Sequence, residues 1–136
     1  MTALHASPAC DAGAVDRGVL LRLRIEYTVA LVGCIALAVW HIDEIRWPAF
    51  VALFAAIDVV GFLPGALAQR GRSEAVSAVY HALYNVTHSL AFGAAVALAW
   101  SLLLGFEWAL LAIPLHLLGD RAVFGNLFKR PGTRFT

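Results

Sequence analysis

The chain has 136 residues, of which 61% are hydrophobic and only 14% are charged. Water-soluble domains carry about 45–50% apolar and about 25% charged residues, so this composition excludes an ordinary soluble domain and predicts a one-domain protein in contact with a lipid bilayer. The formal net charge of +1 indicates no partner by itself, and basic residues that flank apolar runs are better explained by topology and anionic lipid than by nucleic acid.

Four long apolar segments follow a polar N-terminal stretch. Residues 1–18 lack helical or strand periodicity and are interpreted as a disordered tail. The segments are rich in Leu and Ala without strand-like alternation, which favours helices, and about 20 residues suffice to cross a hydrocarbon core of about 30 Å. The four segments span about 19–40, 47–67, 78–104 and 106–128, and a basic tail follows them over 129–136. The sequence therefore predicts an all-α fold, an integral membrane bundle of four antiparallel transmembrane helices.

The basic residues predict the orientation of this bundle. Those at the N-terminus, the second loop and the C-terminus are Arg17, Arg22, Arg24, Arg70, Arg72, Lys129, Arg130 and Arg134. The charged residues of the first and third loops are Asp43, Glu44, Arg46 and Glu107. Because positively charged loops stay on the cytoplasmic side, we expect a protein of the cell membrane with both termini in the cytoplasm.

The second segment combines a carboxylate with small residues. Asp58 lies at its middle, and Pro64 is expected to bend or end the helix. Gly61 and Gly65 are four residues apart, a spacing that lets another helix approach closely. This face therefore predicts contacts between copies of the chain in a homo-oligomer.

Polar side chains form a stripe on the third segment. At about 100° per residue, His81, Asn85 and His88 fall at about 0°, 40° and 340° around the helix axis, so they project from one side. A stripe of this kind is expected to face the interior of the bundle rather than lipid.

The ionisable residues of the other segments are expected to meet this stripe. At about 1.5 Å of rise per residue, Glu26, Asp58, His88, His116 and Asp120 all fall in the cytoplasmic half of the bilayer. An unpaired charge near the bilayer centre costs at least about 2.5–3.5 kcal/mol. Convergence of these groups on the bundle axis removes that cost, so we predict a shared polar pocket.

Such a pocket is compatible with several functions. Imidazole and carboxylate groups on facing helices can hold a divalent metal such as zinc or iron, or act as acid and base. We expect a metal-dependent enzyme acting on a hydrophobic, lipid-like substrate; the alternatives are a small transporter or proton relay, and an accessory or scaffold subunit. The candidate metal ligands are His88, His116, Asp58, Asp120 and Glu26. The candidate catalytic residues are His88, His116, Asp120, Asp58 and Asn85.

Several of these residues also have a purely structural interpretation. His81 lies near the interface, where a solvated or capping role is favoured over a role as ligand. Arg22 and Glu26 are four residues apart and can form a local ion pair. Asp120 and Arg121 can likewise be neutralised by neighbours and fix the register of the helices.

Two motifs give a family resemblance. Tyr84-Asn85 followed by His88, and His116 followed by Asp120-Arg121, together with Gly125 and Lys129, resemble the motifs of a family of small bacterial four-helix integral membrane proteins of unknown function. The segments Arg24-Ile25-Glu26 and Gly61-Phe62-Leu63 with Asp58 look like further counterparts, so the resemblance covers about residues 22–129. It implies a fold and a shared polar site, and no particular reaction.

Overall fold

The computed structural model describes residues 17–125 and 128–135, and across them the chain is helical without a β-strand. The helices are α1 (Arg17–Trp40), α2 (Trp47–Gly61), α3 (Leu63–Gln69), α4 (Ala78–Thr87), α5 (Leu90–Leu104) and α6 (Ala112–Gly119). Short 3-10 turns cover Ile42–Glu44 and Trp108–Leu111, and a π-helical turn, Asp120–Phe124, continues α6. The all-helical prediction is confirmed. The predicted tail lies outside the described residues except for its last two, which begin α1.

Two helices are long and apolar enough to cross a membrane. They are Arg17–Trp40 and the nearly continuous Trp47–Gln69, and the pair α4 and α5 makes a third candidate if it counts as one bent span. The predicted fourth segment, 106–128, is divided into 3-10, α and π pieces. Length and composition therefore support two or three spans among the described residues.

The predicted third helix, 78–104, is not continuous. It bends by 56° between α4 and α5, because Ser89 has an extended backbone and its hydroxyl accepts a hydrogen bond from the Phe92 N–H at 3.1 Å. A serine in this role begins a new helix. The bend places His88 at the C-terminal cap of α4, so the histidine leaves the regular helical stripe that the sequence predicted.

The glycines of the second segment pack inside the chain. The break between α2 and α3 falls at Phe62, and Pro64 lies in the first turn of α3. A Cβ at Gly61 would overlap the Thr87 hydroxyl, and one at Gly65 would overlap the ring of Phe135. The face that the sequence assigned to a homo-oligomer is therefore used for contacts within the chain.

Contacts join the loops at one end of the molecule. The His41 ring stacks on Trp108 with centroids 3.6 Å apart, and Arg46 donates two hydrogen bonds to Glu107 at 2.8 and 2.6 Å. The Trp108 indole N–H donates to Glu44, whose pKa is lowered chiefly by its hydrogen bond with His41. The first and third predicted loops thus lie side by side.

Among the described residues, two small buried clusters form the core. One contains Val76, Tyr84 and Phe135, and the other contains Leu110, Ile113 and Leu117. Tyr84 stacks on His88, and Leu117 follows His116 in α6. The polar groups described next therefore adjoin both clusters.

Candidate metal centre

Three side chains from three parts of the fold meet at one point. Asp58 comes from α2, His88 from the bend after α4 and His116 from α6, and one ligand atom of each lies within 4.8 Å of the others. Asp58 Oδ1 is 3.3 Å from His88 Nε2 and 3.6 Å from His116 Nε2. Asp120 Oδ2 is 3.5 Å from the first imidazole and 4.0 Å from the second. We call Asp58, His88, His116 and Asp120 the Asp/His group.

These separations suit a small divalent cation. Zinc bonds of about 2.0–2.2 Å at a tetrahedral centre place the ligand atoms about 3.3–3.6 Å apart. Three of the four histidine–aspartate distances, 3.3, 3.5 and 3.6 Å, fall in this range, and the fourth is 4.0 Å. Two imidazoles with a carboxylate are also a ligand set for non-haem iron(II). The group could therefore hold zinc or iron if the ligand atoms of Asp58, His88 and His116, which lie within 4.8 Å of one another, move closer together around the ion.

The hydrogen bonds of His88 orient the nitrogen that faces the aspartates. In one tautomer Nε2 carries the proton and faces the Asp58 carboxylate at 3.3 Å; in the other, Nδ1 carries the proton and donates to the backbone carbonyl of Tyr84, 3.1 Å away, because a carbonyl only accepts. In this second tautomer the lone pair lies on Nε2. A backbone carbonyl that accepts from the other ring nitrogen is typical of histidines that bind metals.

His116 has no hydrogen-bond partner among the described residues. Both ring nitrogens are buried and unsatisfied, which costs about 1–3 kcal/mol for a buried polar group. The ring is held by packing, with its centroid 4.6 Å from that of Phe54 and 5.6 Å from that of His88. A cation bound at Nε2 would supply a partner for one of these nitrogens.

The Asp/His group is buried on one side and open on the other. His88 and His116 are 4% and 6% exposed, whereas the side chain of Asp58 is 52% exposed. The close approach of α2 to His88 depends on Gly61, since a Cβ at this position would lie 3.1 Å from the His88 ring. Access to the group is therefore by way of the exposed side of Asp58.

Glu26 and Asn85 do not join the Asp/His group. Glu26 is exposed on α1, about 200° around the helix from Arg24, which contacts the backbone at Ala122. Asn85 instead donates to the Lys129 carbonyl at 3.0 Å and accepts from its N–H at 2.8 Å. The expected convergence therefore includes four of the predicted residues and leaves these two outside.

His81 is buried rather than solvated. It has no exposed surface, and its Nε2 lies 3.1 Å from the Thr133 carbonyl. It thus fixes the C-terminal segment, a structural role that the position near the interface did not predict.

Two contacts of the site were missed from the sequence. The Tyr84 ring stacks on His88 with centroids 3.8 Å apart, and Arg121 donates to the His88 carbonyl at 3.1 Å. The sequence suggested that Asp120 and Arg121 are neutralised by neighbours and fix the register of the helices; in the structure Asp120 lies near the His88 ring and Arg121 donates to the His88 carbonyl. The four-residue spacing of Tyr84 and His88 could have indicated the first contact, whereas the second joins residues 33 positions apart.

Neither a protein-family model nor a curated protein nor a solved structure matches this chain. The resemblance to a bacterial membrane family therefore stays a prediction, and the chemistry of the Asp/His group is argued from its geometry.

Proposed function

We propose that this protein is a four-span protein of the cell membrane, with both termini cytoplasmic, that binds zinc or iron and acts as an enzyme on a hydrophobic, lipid-like substrate. The observation that carries the metal site is the convergence of His88 and His116 Nε2 on Asp58 Oδ1, at 3.3 and 3.6 Å. Asp120, within 4.0 Å of both imidazoles, is the fourth ligand or a proton acceptor beside the metal.

The surface of the chain supports its location in a bilayer. Large apolar side chains are exposed along α1, α2 and α5, including Val29, Val32, Val51, Val59, Leu98 and Leu102. Contiguous apolar surface of this kind is rare on soluble monomers. Lipid in contact with these helices would remove it from water.

The opening beside Asp58 supports a reaction rather than a purely structural metal. Structural zinc sites use four protein ligands, whereas catalytic sites leave one position open for water or substrate. Asp58, His88 and His116 provide three ligands, and with Asp120 as the proton acceptor rather than the fourth ligand, one position stays open on the exposed side of Asp58. A bound divalent metal would polarise a substrate oxygen or lower the pKa of a bound water.

An apolar groove next to the Asp/His group supports a hydrophobic substrate. Its volume is about 170 Å³, and the side chains around it are Leu53, Ala56, Ile57, Val60, Thr87, Phe92, Gly93, Val96 and Ile113. Ile57 adjoins Asp58 in the chain, and the Thr87 hydroxyl lies 3.1 Å from His88 Nδ1. An acyl or prenyl chain in this groove would have its polar end near the metal.

Metal analysis of the purified protein tests the proposal. After reconstitution with zinc or iron(II) and removal of excess ion, we expect about one metal per chain, with loss of most of it in His88→Ala and His116→Ala. His41→Ala is the matched control, because His41 contacts Glu44 and Trp108 at the other end of the molecule. The metal site would be refuted if the reconstituted wild-type protein held no metal, or if the variant with both His88→Ala and His116→Ala retained all of it.

Proton transfer is the second candidate function. The observation in its favour is the half-exposed Asp58 carboxylate, midway along the candidate span Trp47–Gln69 and 3.3 Å from a buried imidazole. Ionisable groups at membrane depth are typical of proton relays. Proton flux into liposomes that disappears in Asp58→Asn, in protein without metal, would favour the relay over the enzyme.

A further inference from the structure

A second pocket lies between the start of α1 and the end of the π-helical turn. It has a volume of about 220 Å³, and its lining residues are Leu20, Leu23, Arg24, Tyr27, Arg121 and Gly125. Two arginines and a tyrosine thus line one cavity that the Asp/His group does not use.

Arg121 is a buried cation without a carboxylate partner among the described residues. It is 8% exposed, and it donates to the His88 carbonyl at 3.1 Å and to the Tyr27 hydroxyl at 3.5 Å. Its guanidinium carbon lies 5.2 Å from the centroid of the Tyr27 ring. None of these partners is a carboxylate, and a buried charge without an ion pair in direct contact is unfavourable.

Arg24 adds a second positive charge to the same pocket. Its Nε donates to the Ala122 carbonyl at 2.9 Å and its Nη2 to the Val123 carbonyl at 2.8 Å. Carbonyls at a helix C-terminus offer only a partial negative charge. No described carboxylate lies within 4.0 Å of either guanidinium, so the pocket as a whole is positive.

We propose that this pocket binds a phosphate group. Guanidinium donors match the geometry of phosphate oxygens, and the Tyr27 hydroxyl offers a further donor. A lipid headgroup and free phosphate share this chemistry; the pocket lies at the basic end of α1, and Leu20 and Leu23 provide apolar contacts for a lipid. Binding does not require the metal, although a role of the bound lipid as substrate rests on the proposed function.

Ligand titration followed by native mass spectrometry tests the pocket. Chelator-treated protein in a neutral detergent is titrated with dioctanoyl phosphatidate, with dioctanoylglycerol and with inorganic phosphate. We expect phosphatidate to bind, and dioctanoylglycerol, which lacks the phosphate, to bind at least about tenfold more weakly, since charge-assisted hydrogen bonds contribute about 1.5–3 kcal/mol each. If inorganic phosphate displaces phosphatidate at similar concentrations, the free ion is the ligand. If phosphatidate binds and inorganic phosphate does not displace it, the lipid is the ligand.

Arginine variants distinguish phosphatidate binding in the pocket from general electrostatic attraction of anions to the protein. Arg24→Gln and Arg121→Gln should each weaken phosphatidate binding about tenfold. The control is Arg22→Gln, which removes the same charge from an exposed position of α1 that does not line the pocket, and it should bind as the wild type does. If Arg121→Gln does not fold, phosphatidate binding is measured with Arg24→Gln and Tyr27→Phe instead.

Equal weakening by Arg22→Gln and Arg24→Gln would overturn the proposal, as would equal binding of phosphatidate and dioctanoylglycerol. Metal content is measured on the same preparations before chelation. A protein that binds phosphatidate without any metal would refute the metal centre alone, and a metal-loaded protein that does not discriminate between the two lipids would refute the phosphate pocket alone.

Discussion

At the scale of single residues, Gly61 controls the distance between α2 and the Asp/His group. Its missing side chain lets the helix approach the Thr87 hydroxyl and the His88 ring. Thr87 cannot move away freely, because its hydroxyl donates to the Leu83 or Tyr84 carbonyl at 3.0–3.1 Å. The position of Asp58, three residues earlier on the same helix, therefore depends on a glycine.

We predict that Gly61→Ala displaces α2 and weakens metal binding. Overpacking of a close contact costs about 1–3 kcal/mol, so a lower Tm is expected together with lower metal occupancy, measured by thermal unfolding in detergent and by metal analysis. The displacement would lengthen the 3.3 Å distance between Asp58 and His88.

Gly33→Ala is the control for this substitution, since a Cβ at Gly33 meets no atom within 4 Å. It should leave the metal content unchanged and, as an exposed helical position, keep or slightly raise the Tm. Unchanged metal content in Gly61→Ala would show that the ligand geometry does not depend on this contact.

At the scale of elements, the C-terminal segment 128–135 is fixed to α3 and α4. Asn85 bonds both backbone groups of Lys129, and Gln69 accepts from the buried Phe135 N–H at 3.0 Å. The Lys129 ammonium lies 4.9–5.4 Å above the rings of Phe62, Tyr84 and Phe135, and burial lowers its pKa. The sequence predicted only a basic tail here.

We predict that Asn85→Ala releases this segment. The substitution removes two hydrogen bonds to Lys129, each contributing about 0.5–1.5 kcal/mol. Local opening should then increase, so trypsin should cleave after Lys129 about tenfold faster, as measured by mass spectrometry of the C-terminal peptide.

Thr28→Ala is the control for tail release, because the Thr28 hydroxyl bonds only the Arg24 carbonyl within α1. Its cleavage rate should match that of the wild type. If Asn85→Ala is cleaved no faster, the tail is fixed mainly by His81, Gln69 and the burial of Phe135, and the assigned role of Asn85 is wrong.

At the scale of the whole molecule, charged contacts join the predicted outer loops. Arg46 pairs with Glu107, and Glu44 accepts from Trp108. At the opposite end, Arg24 caps the carbonyls of Ala122 and Val123. From the distribution of basic residues between the two ends the positive-inside rule predicts cytoplasmic termini.

We predict that residue 43 lies outside the cell and residue 72 inside. In a chain with Cys10→Ser and Cys34→Ser, a membrane-impermeant maleimide on intact cells should label Asp43→Cys and leave Arg72→Cys unmodified. Opening the membranes is the control and should make both positions reactive. Labelling of Arg72→Cys in intact cells would reverse the proposed orientation.

The placement of ionisable residues in apolar segments predicted all four members of the Asp/His group, together with two residues that lie elsewhere. Asp58, His88, His116 and Asp120 could be selected because ionisable groups in apolar segments avoid lipid. Glu26 and Asn85 could not be separated from them by this argument. The side of α1 that faces α6 depends on Arg24 and Tyr27, and the partner of Asn85 lies 44 positions further along the chain.

The sequence by itself determined the helical class and the polar residues that must find partners, because both follow from composition and from spacing along one helix. Only the tertiary structure decided which of them meet. The break at Ser89 moves His88 toward Asp58, Gly61 allows the approach of α2, and the end of α6 brings Arg121 to Arg24 and Tyr27. These are contacts between residues distant in sequence, whose distances depend on packing rather than on local periodicity.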